Sequence, residues 1–440
     1  MTQAGESPNP ESSPGRGGGY LIVVQAPCTR ISGQAFATES AFAEHLRTLR
    51  RKLAPRFDRL HIAAPTHAAG VYEANKHHLA VIDSPREGIE FTPMFPEDMR
   101  TIRYWLTRAG RNWRALRDLV HRCDVVHSGM SDDIWRPVCF MAILQAVRQG
   151  RTSLFHVDID FRRDARLHYV TGDWSRKSYL LCRYIYDPLR LAQVRYAVRR
   201  CSLVVLKGRK MVQDYGNGLP HVRDFYDTAH SPEQVIEPAR LERKLARMRD
   251  ASRPLTMVYF GQLVWRKGVD SAIRAVHEAA QMTGRDFRMH IIGAGDRRES
   301  LRALVRELGA EERILFHEAV RYGPALFDKL YDCDVTLATP LTEDTPRSAF
   351  DALASGCPIV AFDLYYYRDL EASGAVIATP WSDVGALAQA ITALDQDRAR
   401  LEAMARAGVQ FARDNTQETW LDRRIGWTME ALDRERGGRR

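Results

Sequence analysis

Residues 339–361 read TPLTEDTPRSAFDALASGCPIVA, which gives in order a strand end, an acidic loop, a helix and a second strand. This order is typical of one β-α-β unit in a parallel sheet covered by helices. Thr345 is a suitable N-cap and Pro346 a suitable first helical residue. The free N–H groups of that first turn, together with Arg347, predict an anion site beside the loop.

Two carboxylates flank this predicted anion site. Glu343 lies in the loop, and Asp351 lies on the second turn of the helix. Ionised carboxylates are strong hydrogen-bond acceptors, so this placement suits the recognition of hydroxyl groups. The alternative for Glu343 is a helix-capping or solvent-exposed carboxylate.

The same alternation of short β-branched runs and longer amphipathic runs continues on both sides of this unit. It predicts strands at residues 20–25, 59–63, 125–128, 153–156 and 203–206, and, after a polar stretch at 227–253, at 255–260, 289–292, 313–316, 335–338, 358–361 and 375–377. Two such series predict an α/β protein with two doubly wound domains. Ligands of these sheets bind at the carboxyl ends of the strands, which predicts a site in the cleft between the domains.

The composition excludes several classes of protein. The 440 residues include 64 Lys and Arg against 55 Asp and Glu, a formal net charge of +9, and 45% are hydrophobic. This balance excludes bulk disorder and a small disulfide-stapled fold. No apolar run reaches the roughly 18 to 20 residues of a membrane span, and no signal-peptide core follows residues 1–19. Seven scattered cysteines without a Cys-x-x-Cys pair favour a reducing, cytoplasmic compartment over a zinc site.

Two further segments follow predicted strands of the second series. Residues 261–268, GQLVWRKG, place Lys267 just before a helix start, an arrangement that binds phosphate; the alternative is a solvated Arg266–Lys267 pair in a turn. Residues 291–296, IIGAGD, carry a Gly-x-Gly after a strand, which alone is a weak signal. Together the three segments have the residue types needed to hold a nucleotide diphosphate attached to a polyol.

In this order and spacing, the three segments resemble the carboxyl-terminal domain of the family GT4 glycosyltransferases, whose GT-B architecture has two Rossmann-like domains facing across a cleft. That family carries a Glu-x7-Glu motif followed by Ala-Met-Ala-x-Gly-x-Pro-Val-Val-Ala, and this chain has Glu343-x7-Asp351 followed by ALASGCPIVA. By this resemblance Glu343 contacts the transferred sugar, Asp351 the ribose hydroxyls, and Lys267 the diphosphate. Gly293 and Phe316 would belong to the nucleotide site.

The chain departs from the family pattern at three places. Asp351 replaces the second glutamate, and the uncharged Gln262 replaces a phosphate-binding arginine. Residues 344–346, Asp-Thr-Pro, replace a Gly-Phe-Gly stretch, which predicts an altered pocket for the donor sugar. We expect Arg347 or Arg266 to supply the missing cation.

The amino-terminal half carries fewer of the family's landmarks. The loop after the first strand contains Arg30 and Gly33, and a helix is predicted from about residue 37. By the resemblance, Gly33 lies near the donor diphosphate. Arg30 is a candidate on the acceptor side.

Two histidines follow predicted strands of this half. By the resemblance, His156 faces the transferred sugar and is the predicted catalytic histidine. His127 is a further candidate on the acceptor side, and a buried structural histidine is its alternative. A metal site of His156, Asp158 and Asp160 is a weaker alternative, based on the shared face of alternate residues in an extended segment.

Residues 100–117 contain six arginines and no acidic residue. On a helical wheel the arginines are separated from one apolar face, which consists of Ile102, Trp105, Leu106, Ala109, Trp113, Leu116 and Val120. One interpretation is a helix that covers the sheet with a charged outer face. The other is a surface that meets anionic lipid or an anionic acceptor. Nucleic acid is not expected as a partner, because no DNA- or RNA-binding motif accompanies the charge.

The resemblance implies an enzyme without metal or cofactor that transfers a sugar, with retention, from a UDP- or GDP-sugar to a glycan, lipid-linked or small-molecule acceptor. The implied location is the cytoplasm, with the inner membrane face as an additional possibility. The implied organisation is a disordered tail (1–19), an acceptor-binding domain (20–240), a nucleotide-sugar-binding domain (241–415) and a helix crossing back (416–434). The alternatives are an inactive nucleotide-sugar-binding partner subunit and another GT-B enzyme, a phosphorylase or an epimerase.

Overall fold

The computed structural model describes residues 18–68, 70–76, 79–131 and 133–437. The chain falls into two compact units. The first comprises the chain up to His156, Gln193–Val204 and the chain from Ile425 onward; the second comprises Val157–Ala192 and Val205–Arg424. The second unit contains residues from both sides of the domain boundary predicted near residue 240. That boundary stays a prediction. The predicted tail lies, except for its last two residues, outside the described residues.

The strands form three sheets. They are β1 (Gly19–Val23), β2 (Thr29–Arg30), β3 (Ala35–Glu39), β4 (Arg59–Thr66), β5 (Leu79–Asp83), β6 (Ile89–Pro96), β7 (Cys123–Gly129), β8 (Thr152–Val157), β9 (Leu203–Lys207), β10 (Val222–Phe225), β11 (Leu255–Phe260), β12 (Phe287–Ile292), β13 (Ile314–His317), β14 (Val335–Ala338), β15 (Ile359–Phe362) and β16 (Val376–Thr379). One sheet has the order β10-β9-β8-β7-β1-β4-β6, a second has the order β13-β12-β11-β14-β15-β16, and β2, β3 and β5 form a third.

Helices connect most of these strands. They are α1 (Ser40–Leu53), α2 (Val71–Asn75), α3 (Ser84–Glu87), α4 (Thr101–Thr107), α5 (Ala109–His121), α6 (Val138–Arg148), α7 (Phe161–Val170), α8 (Arg176–Leu181), α9 (Asp187–Arg200), α10 (Arg209–Tyr215), α11 (Pro238–Arg249), α12 (Val269–Thr283), α13 (Arg298–Glu307), α14 (Pro324–Tyr331), α15 (Ser348–Ala354), α16 (Tyr365–Leu370), α17 (Val384–Gln396), α18 (Arg398–Asp414) and α19 (Gln417–Gly437). A π-helix, Cys182–Tyr186, joins α8 to α9. Among the helices of the described residues, none has both the length and the apolar character of a membrane span.

The predicted α/β class with two Rossmann-like domains is confirmed. Every neighbouring pair in the six-stranded sheet is parallel, and β1 pairs in parallel with both β4 and β7. The central strand β11 reads LTMVYF, with five of its six residues buried, because helices cover both faces of the sheet. All of the predicted strands are present, with ends shifted by at most a few residues.

The small antiparallel sheet corrects the prediction of a helix from about residue 37. Ala35–Glu39 is a strand that pairs with Leu79–Asp83, and the helix begins at Ser40. The partner of the strand Ala35–Glu39 lies some forty residues further along the chain, so the local sequence pattern does not indicate the pairing. β6 also escapes the sequence pattern, since Pro93 and Pro96 indicate a break; it is an edge strand, where proline is tolerated.

The single helix predicted over residues 100–117 is also corrected. α4 and α5 meet at Arg108, where φ is −121° and ψ is −34°. Leu116 and Val120 of α5 are buried, as the helical wheel predicts. α4 is a separate helix, and three residues of the predicted buried stripe lie exposed on it: Ile102 (76%), Trp105 (51%) and Leu106 (79%).

The last helix, α19, contributes residues to both units. Near its start the Trp420 ring lies 5.3 Å from the ring of Tyr226, within the second unit. Near its end Glu435 Oε2 accepts a hydrogen bond from Thr152 Oγ1 at 2.9 Å, within the first unit. The crossing back of a helix at 416–434 toward the first domain stays a prediction.

Candidate active site

Glu343 and Asp351 lie where β14 gives way to α15, at the carboxyl edge of the six-stranded sheet. Residues 339–347 form the loop, and α15 begins at Ser348. Both carboxyl groups are buried, with 6% of Glu343 and 3% of Asp351 exposed. The alternative of a solvent-exposed Glu343 is therefore wrong.

The helix start differs from the prediction. Arg347 occupies the cap position without a side-chain cap bond, so neither Thr345 as N-cap nor Pro346 as first helical residue is correct. Lys207 Nζ donates to the Thr345 carbonyl oxygen at 3.4 Å, and the Tyr366 hydroxyl donates to the Pro346 carbonyl oxygen at 3.3 Å. These side chains hold the loop outside the helix, and the first helical N–H groups begin two residues later than expected.

Helix α7 holds Glu343 at both its side chain and its backbone. Arg163 Nε lies 3.0 Å from Glu343 Oε1, and the Asp164 carboxylate accepts a hydrogen bond from the Glu343 backbone N–H. Asp160 caps the helix, since its Oδ1 accepts from the backbone N–H groups of Arg162 and Arg163 at 3.1 and 3.4 Å. The carboxylate of Asp160, considered above as a metal ligand, is thus used by the helix start.

The environment of Glu343 favours its protonated form. Burial raises the pKa of Glu343 to about 8, and the guanidinium of Arg163 opposes this rise. The nearby carboxylates of Asp160, Asp164 and Asp344 raise the pKa further. A carboxyl with this pKa is largely protonated at neutral pH, so it can donate one hydrogen bond and accept others.

Asp351 is bonded to a hydroxyl of the protein itself. The Tyr322 hydroxyl donates to Asp351 Oδ1 at 3.1 Å. Burial raises the pKa of Asp351 to about 7, while the bond from Tyr322 and the charge of Arg347 oppose the rise. The exposed Arg347 forms no ion pair with any described residue. A hydroxyl group therefore already lies where the sequence predicts a ribose hydroxyl.

The two predicted phosphate cations are brought together on one carboxylate. The Lys267 ammonium group forms an ion pair with Asp344, and Arg266 Nη1 lies 3.4 Å from Asp344 Oδ1. Gln262 is exposed, and its backbone carbonyl oxygen accepts a hydrogen bond from the Tyr259 hydroxyl at 2.8 Å. Asp344 belongs to the stretch that replaces Gly-Phe-Gly, so this pairing is a consequence of the departure.

Close backbone packing explains two glycines at this edge. A Cβ on Gly293 would lie 1.9 Å from the carbonyl oxygen of Gly261. A Cβ on Gly268, whose φ is +57°, would lie 2.1 Å from the carbonyl oxygen of Thr339. The loops after β11, β12 and β14 can therefore approach one another only with glycine at these positions.

Phe316 lies on β13, the strand next to β12, and is partly buried. The guanidinium carbons of Arg298 and Arg302 lie 5.9 and 5.6 Å from its ring centre. Arg298 Nη1 also donates to the Gly293 carbonyl oxygen at 2.6 Å. Arg298 thus contacts both residues predicted for the nucleotide site, Gly293 and Phe316. Their contact with a nucleotide stays a prediction.

In the first unit, the two candidate histidines lie on neighbouring strands, β7 and β8. The ring centroids of His127 and His156 are 5.3 Å apart, with the rings at 76°. His127 is buried, and its Nδ1 lies 3.3 Å from the Tyr20 hydroxyl. This contact favours the structural alternative for His127. His156 is only partly buried, and its catalytic function stays a prediction.

Arg30 and Gly33 line a cavity of about 670 Å³ in the first unit. Arg30 Nη2 donates to the Phe91 carbonyl oxygen at 2.6 Å. A Cβ on Gly33 would meet no atom within 4 Å, so packing in this structure does not require glycine there. Their assignments to the acceptor and the diphosphate stay predictions.

Sequence reasoning missed several residues that contact the predicted ones, among them Lys207, Arg163, Asp164 and Tyr322. Each comes from an element at least twenty residues away along the chain, so no local motif links it to its partner. One signal was available for Arg163. It lies in the first turn of the helix that follows the predicted strand 153–156, next to the sheet edge where ligands of such sheets bind.

Residues 243–411 match the family described as glycosyl transferases group 1. Over 239 residues, which are 52% of this chain, the sequence is 28% identical to a 2-deoxystreptamine glucosyltransferase of Streptomyces kanamyceticus. The match spans 60% of that relative's length.

Solved structures share the fold across most of the chain. HepE of Anabaena, in complex with UDP and glucose, has a TM-score of 0.58 at 15% identity, covering 94% of this chain and 100% of the other. A glycosyltransferase from Rickettsia africae has a TM-score of 0.61 at 12% identity, covering 94% and 99%. At these identities the likeness shows the fold alone.

Proposed function

We propose that this chain, whose residues 243–411 belong to the glycosyl transferases group 1, transfers a sugar from a nucleotide diphosphate sugar to an acceptor hydroxyl, with retention and without a metal. The family match confirms the resemblance drawn from the three segments. The observation that carries the proposal is the pair of buried carboxyls, Glu343 and Asp351, at one sheet edge with Lys267. The UDP complex of HepE supports a UDP-sugar as donor.

The geometry supports a mechanism based on electrostatic stabilisation. Departure of the leaving group builds negative charge on the diphosphate, and preorganised cations stabilise such charge. Lys267 and Arg266 would supply this positive charge, once the donor diphosphate displaces the Asp344 carboxylate from them. Glu343, held by Arg163, would orient the transferred sugar through its hydroxyl groups. Retention by front-face substitution then needs no protein nucleophile, and His156 is the histidine proposed to act on the transferred sugar.

The acceptor is proposed to be a glycan, a lipid-linked sugar or a small polyol. The name of the Streptomyces kanamyceticus relative adds 2-deoxystreptamine as a concrete candidate. An anionic membrane surface is a further proposed partner. It is supported by the three exposed apolar residues of α4 beside Arg100, Arg103 and Arg108. A cytoplasmic location is proposed from the seven free, buried cysteines.

Two alternatives remain distinct from this proposal. An inactive nucleotide-sugar-binding subunit would bind a donor without turning it over, and the Gln262 and Asp351 departures favour this alternative. A phosphorylase or an epimerase would use the same fold with different products. Product identity separates these alternatives from a transferase.

The first experiment measures nucleotide release from UDP-, GDP-, dTDP- and ADP-sugars, with and without EDTA and with 2-deoxystreptamine as one added acceptor. We compare the wild type with Glu343→Ala and with the matched control Glu311→Ala, an exposed glutamate. Release from one donor that persists in EDTA, is lost in Glu343→Ala and remains in Glu311→Ala supports the proposal. Binding of a donor without release would support the inactive subunit instead.

A further inference from the structure

The second unit contains a cavity of about 600 Å³ that the proposed donor site does not use. Ligand pockets for small molecules measure about 300 to 1,000 Å³, so this volume suits one or two sugar rings. Four arginines line the cavity: Arg162, Arg163, Arg166 and Arg183. Three of them come from α7, the helix that holds Glu343.

The carboxylates in the cavity wall leave the positive charge in excess. Asp160 and Asp214 are the two acidic residues that line it, against four guanidinium groups. Asp160 is engaged by the backbone at the start of α7, and Asp214 pairs with Lys210. Arg166 and Arg183 form no ion pair within the described part of the chain. An anion in the cavity would therefore meet two cations that have no ion-pair partner, although the charge of Arg183 also acts on the more distant Asp187.

Hydrogen-bond donors are also in excess in this wall. Arg163 Nη1 and Trp381 Nε1 are buried and have no hydrogen-bond partner among the described residues. Buried N–H groups in folded proteins are nearly always bonded, so each unsatisfied one needs an explanation. Both residues line the cavity, but neither of these two atoms is accessible to solvent, so the anion site rests on the exposed guanidinium groups of Arg166 and Arg183.

Arg163 connects this cavity to the proposed site of sugar transfer. Its Nε faces Glu343 Oε1 at 3.0 Å, and its guanidinium carbon lies 3.8 Å from the ring centre of Tyr365. Its Nη2 donates to the Asp363 carbonyl oxygen at 3.0 Å. Packing and hydrogen bonding fix this guanidinium, so a molecule in the cavity lies one side chain away from Glu343.

We infer that this cavity binds the acceptor through a phosphate or carboxylate carried by a sugar ring. The inference rests on the proposed function of Glu343, because that function makes the neighbouring cavity the place for an acceptor. Arg166 and Arg183 bind the anionic group. The aromatic side chains of Tyr365, Tyr215 and Trp381 provide surface for the sugar ring. A neutral sugar leaves the arginines unpaired. A cationic acceptor such as 2-deoxystreptamine is repelled, so this cavity favours anionic acceptors over that candidate.

The test is calorimetric binding of glucose, glucuronate and glucose 6-phosphate to the full chain, which distinguishes carboxylate from phosphate and needs no turnover. We expect at least one of the two anionic sugars to bind ten-fold or more tightly than glucose. Each of the two guanidinium groups supplies charge-assisted hydrogen bonds to the anion. The double variant Arg166→Gln/Arg183→Gln should therefore weaken that binding at least about ten-fold. Both side chains are exposed, and the melting temperature checks the fold of the variant.

The control is Arg176→Gln, which removes one exposed positive charge of the same segment outside the cavity. Equal binding of all three sugars, no binding of either anion, or unchanged binding in the double variant overturns the inference. Those results leave the proposed function intact if donor release depends on Glu343. Conversely, selective anion binding without release from any donor supports the cavity as an anion site and contradicts the proposed function.

Discussion

The Asp344 carboxylate pairs with the Lys267 ammonium group and lies 3.4 Å from Arg266 Nη1, so an internal anion holds both cations proposed for the donor diphosphate. The pair is mostly buried, with side-chain exposures of 13% for Asp344 and 16% for Lys267. Both side chains line a cavity of about 60 Å³. A diphosphate bound by Lys267 and Arg266 would therefore compete with the Asp344 carboxylate for them.

Neutralising Asp344 should strengthen donor binding. In Asp344→Asn the cations no longer have a competing carboxylate, and like-charge repulsion of the diphosphate is removed. We expect UDP, or the nucleotide that the release assay identifies, to bind about ten-fold more tightly, a change of about 1.4 kcal/mol. Calorimetric dissociation constants of the nucleotide test this expectation. The control is Asp328→Asn, because Asp328 is exposed and forms an ion pair with Arg240. Weaker binding in Asp344→Asn would mean that Asp344 organises the site instead of competing for it.

The pKa of Glu343 makes a contribution to stability that falls as pH rises. Burial raises this pKa from 4.5 to about 8 in the folded state. Below about pH 4.5 both states bind the proton; between pH 4.5 and 8 only the folded state does, and the free energy of unfolding therefore falls. This single group contributes a slope of up to about −1.4 kcal/mol per pH unit.

Glu343→Gln should remove that slope. Urea unfolding at pH 5, 6, 7 and 8 measures the free energy of unfolding for wild type and variant. The difference in stability, variant minus wild type, should rise by about 1 kcal/mol per pH unit over that interval. Glu311→Gln, at an exposed site, should show a constant difference. Parallel pH curves for Glu343→Gln and wild type would show that Glu343 is ionised in the folded protein at pH 7.

Adding a methyl group at Gly293 should destabilise the second unit. The new Cβ would overlap the Gly261 carbonyl oxygen, at 1.9 Å, and neither backbone segment can move without disturbing a central strand. We expect Gly293→Ala to cost about 3 kcal/mol. Gly426→Ala is the control, because it lies within α19 with no atom within 4 Å of its Cβ and should gain up to about 1 kcal/mol. Equal melting temperatures for the two variants would contradict this account.

The exposed apolar residues of α4 should support binding to anionic vesicles. We expect wild-type protein to sediment with phosphatidylglycerol vesicles, and the triple variant Ile102→Ser/Trp105→Ser/Leu106→Ser to lose at least ten-fold in partition coefficient. Complete burial of each such side chain in the membrane interface contributes about 1.5–3 kcal/mol to the free energy of binding. Tyr184→Ser, at another exposed aromatic residue, is the control. Sedimentation of the triple variant at the wild-type level would exclude α4 as the contact surface.

Local sequence patterns were sufficient for elements whose cause is local. The strand β11 is a continuous apolar run because helices cover both faces of its sheet, and the run is visible in the sequence. The same holds for the loop-and-helix segment with Glu343 and Asp351, since their separation places both at one strand end. The pattern failed for β3, whose partner β5 is distant in the chain. It also failed at Arg108, where one periodic stripe spans two helices.

The sequence by itself determined the two series of parallel strands, the glycines at close backbone contacts and the identity of the carboxyls at the sheet edge. Only the tertiary structure decided what those groups meet. Arg163 reaches Glu343 across 180 residues, and Tyr322 reaches Asp351 from the segment before α14. Periodicity reports which face of an element is buried. Hydrogen-bond partners, desolvation and therefore the raised pKa values depend on how separate elements pack, which no local pattern contains.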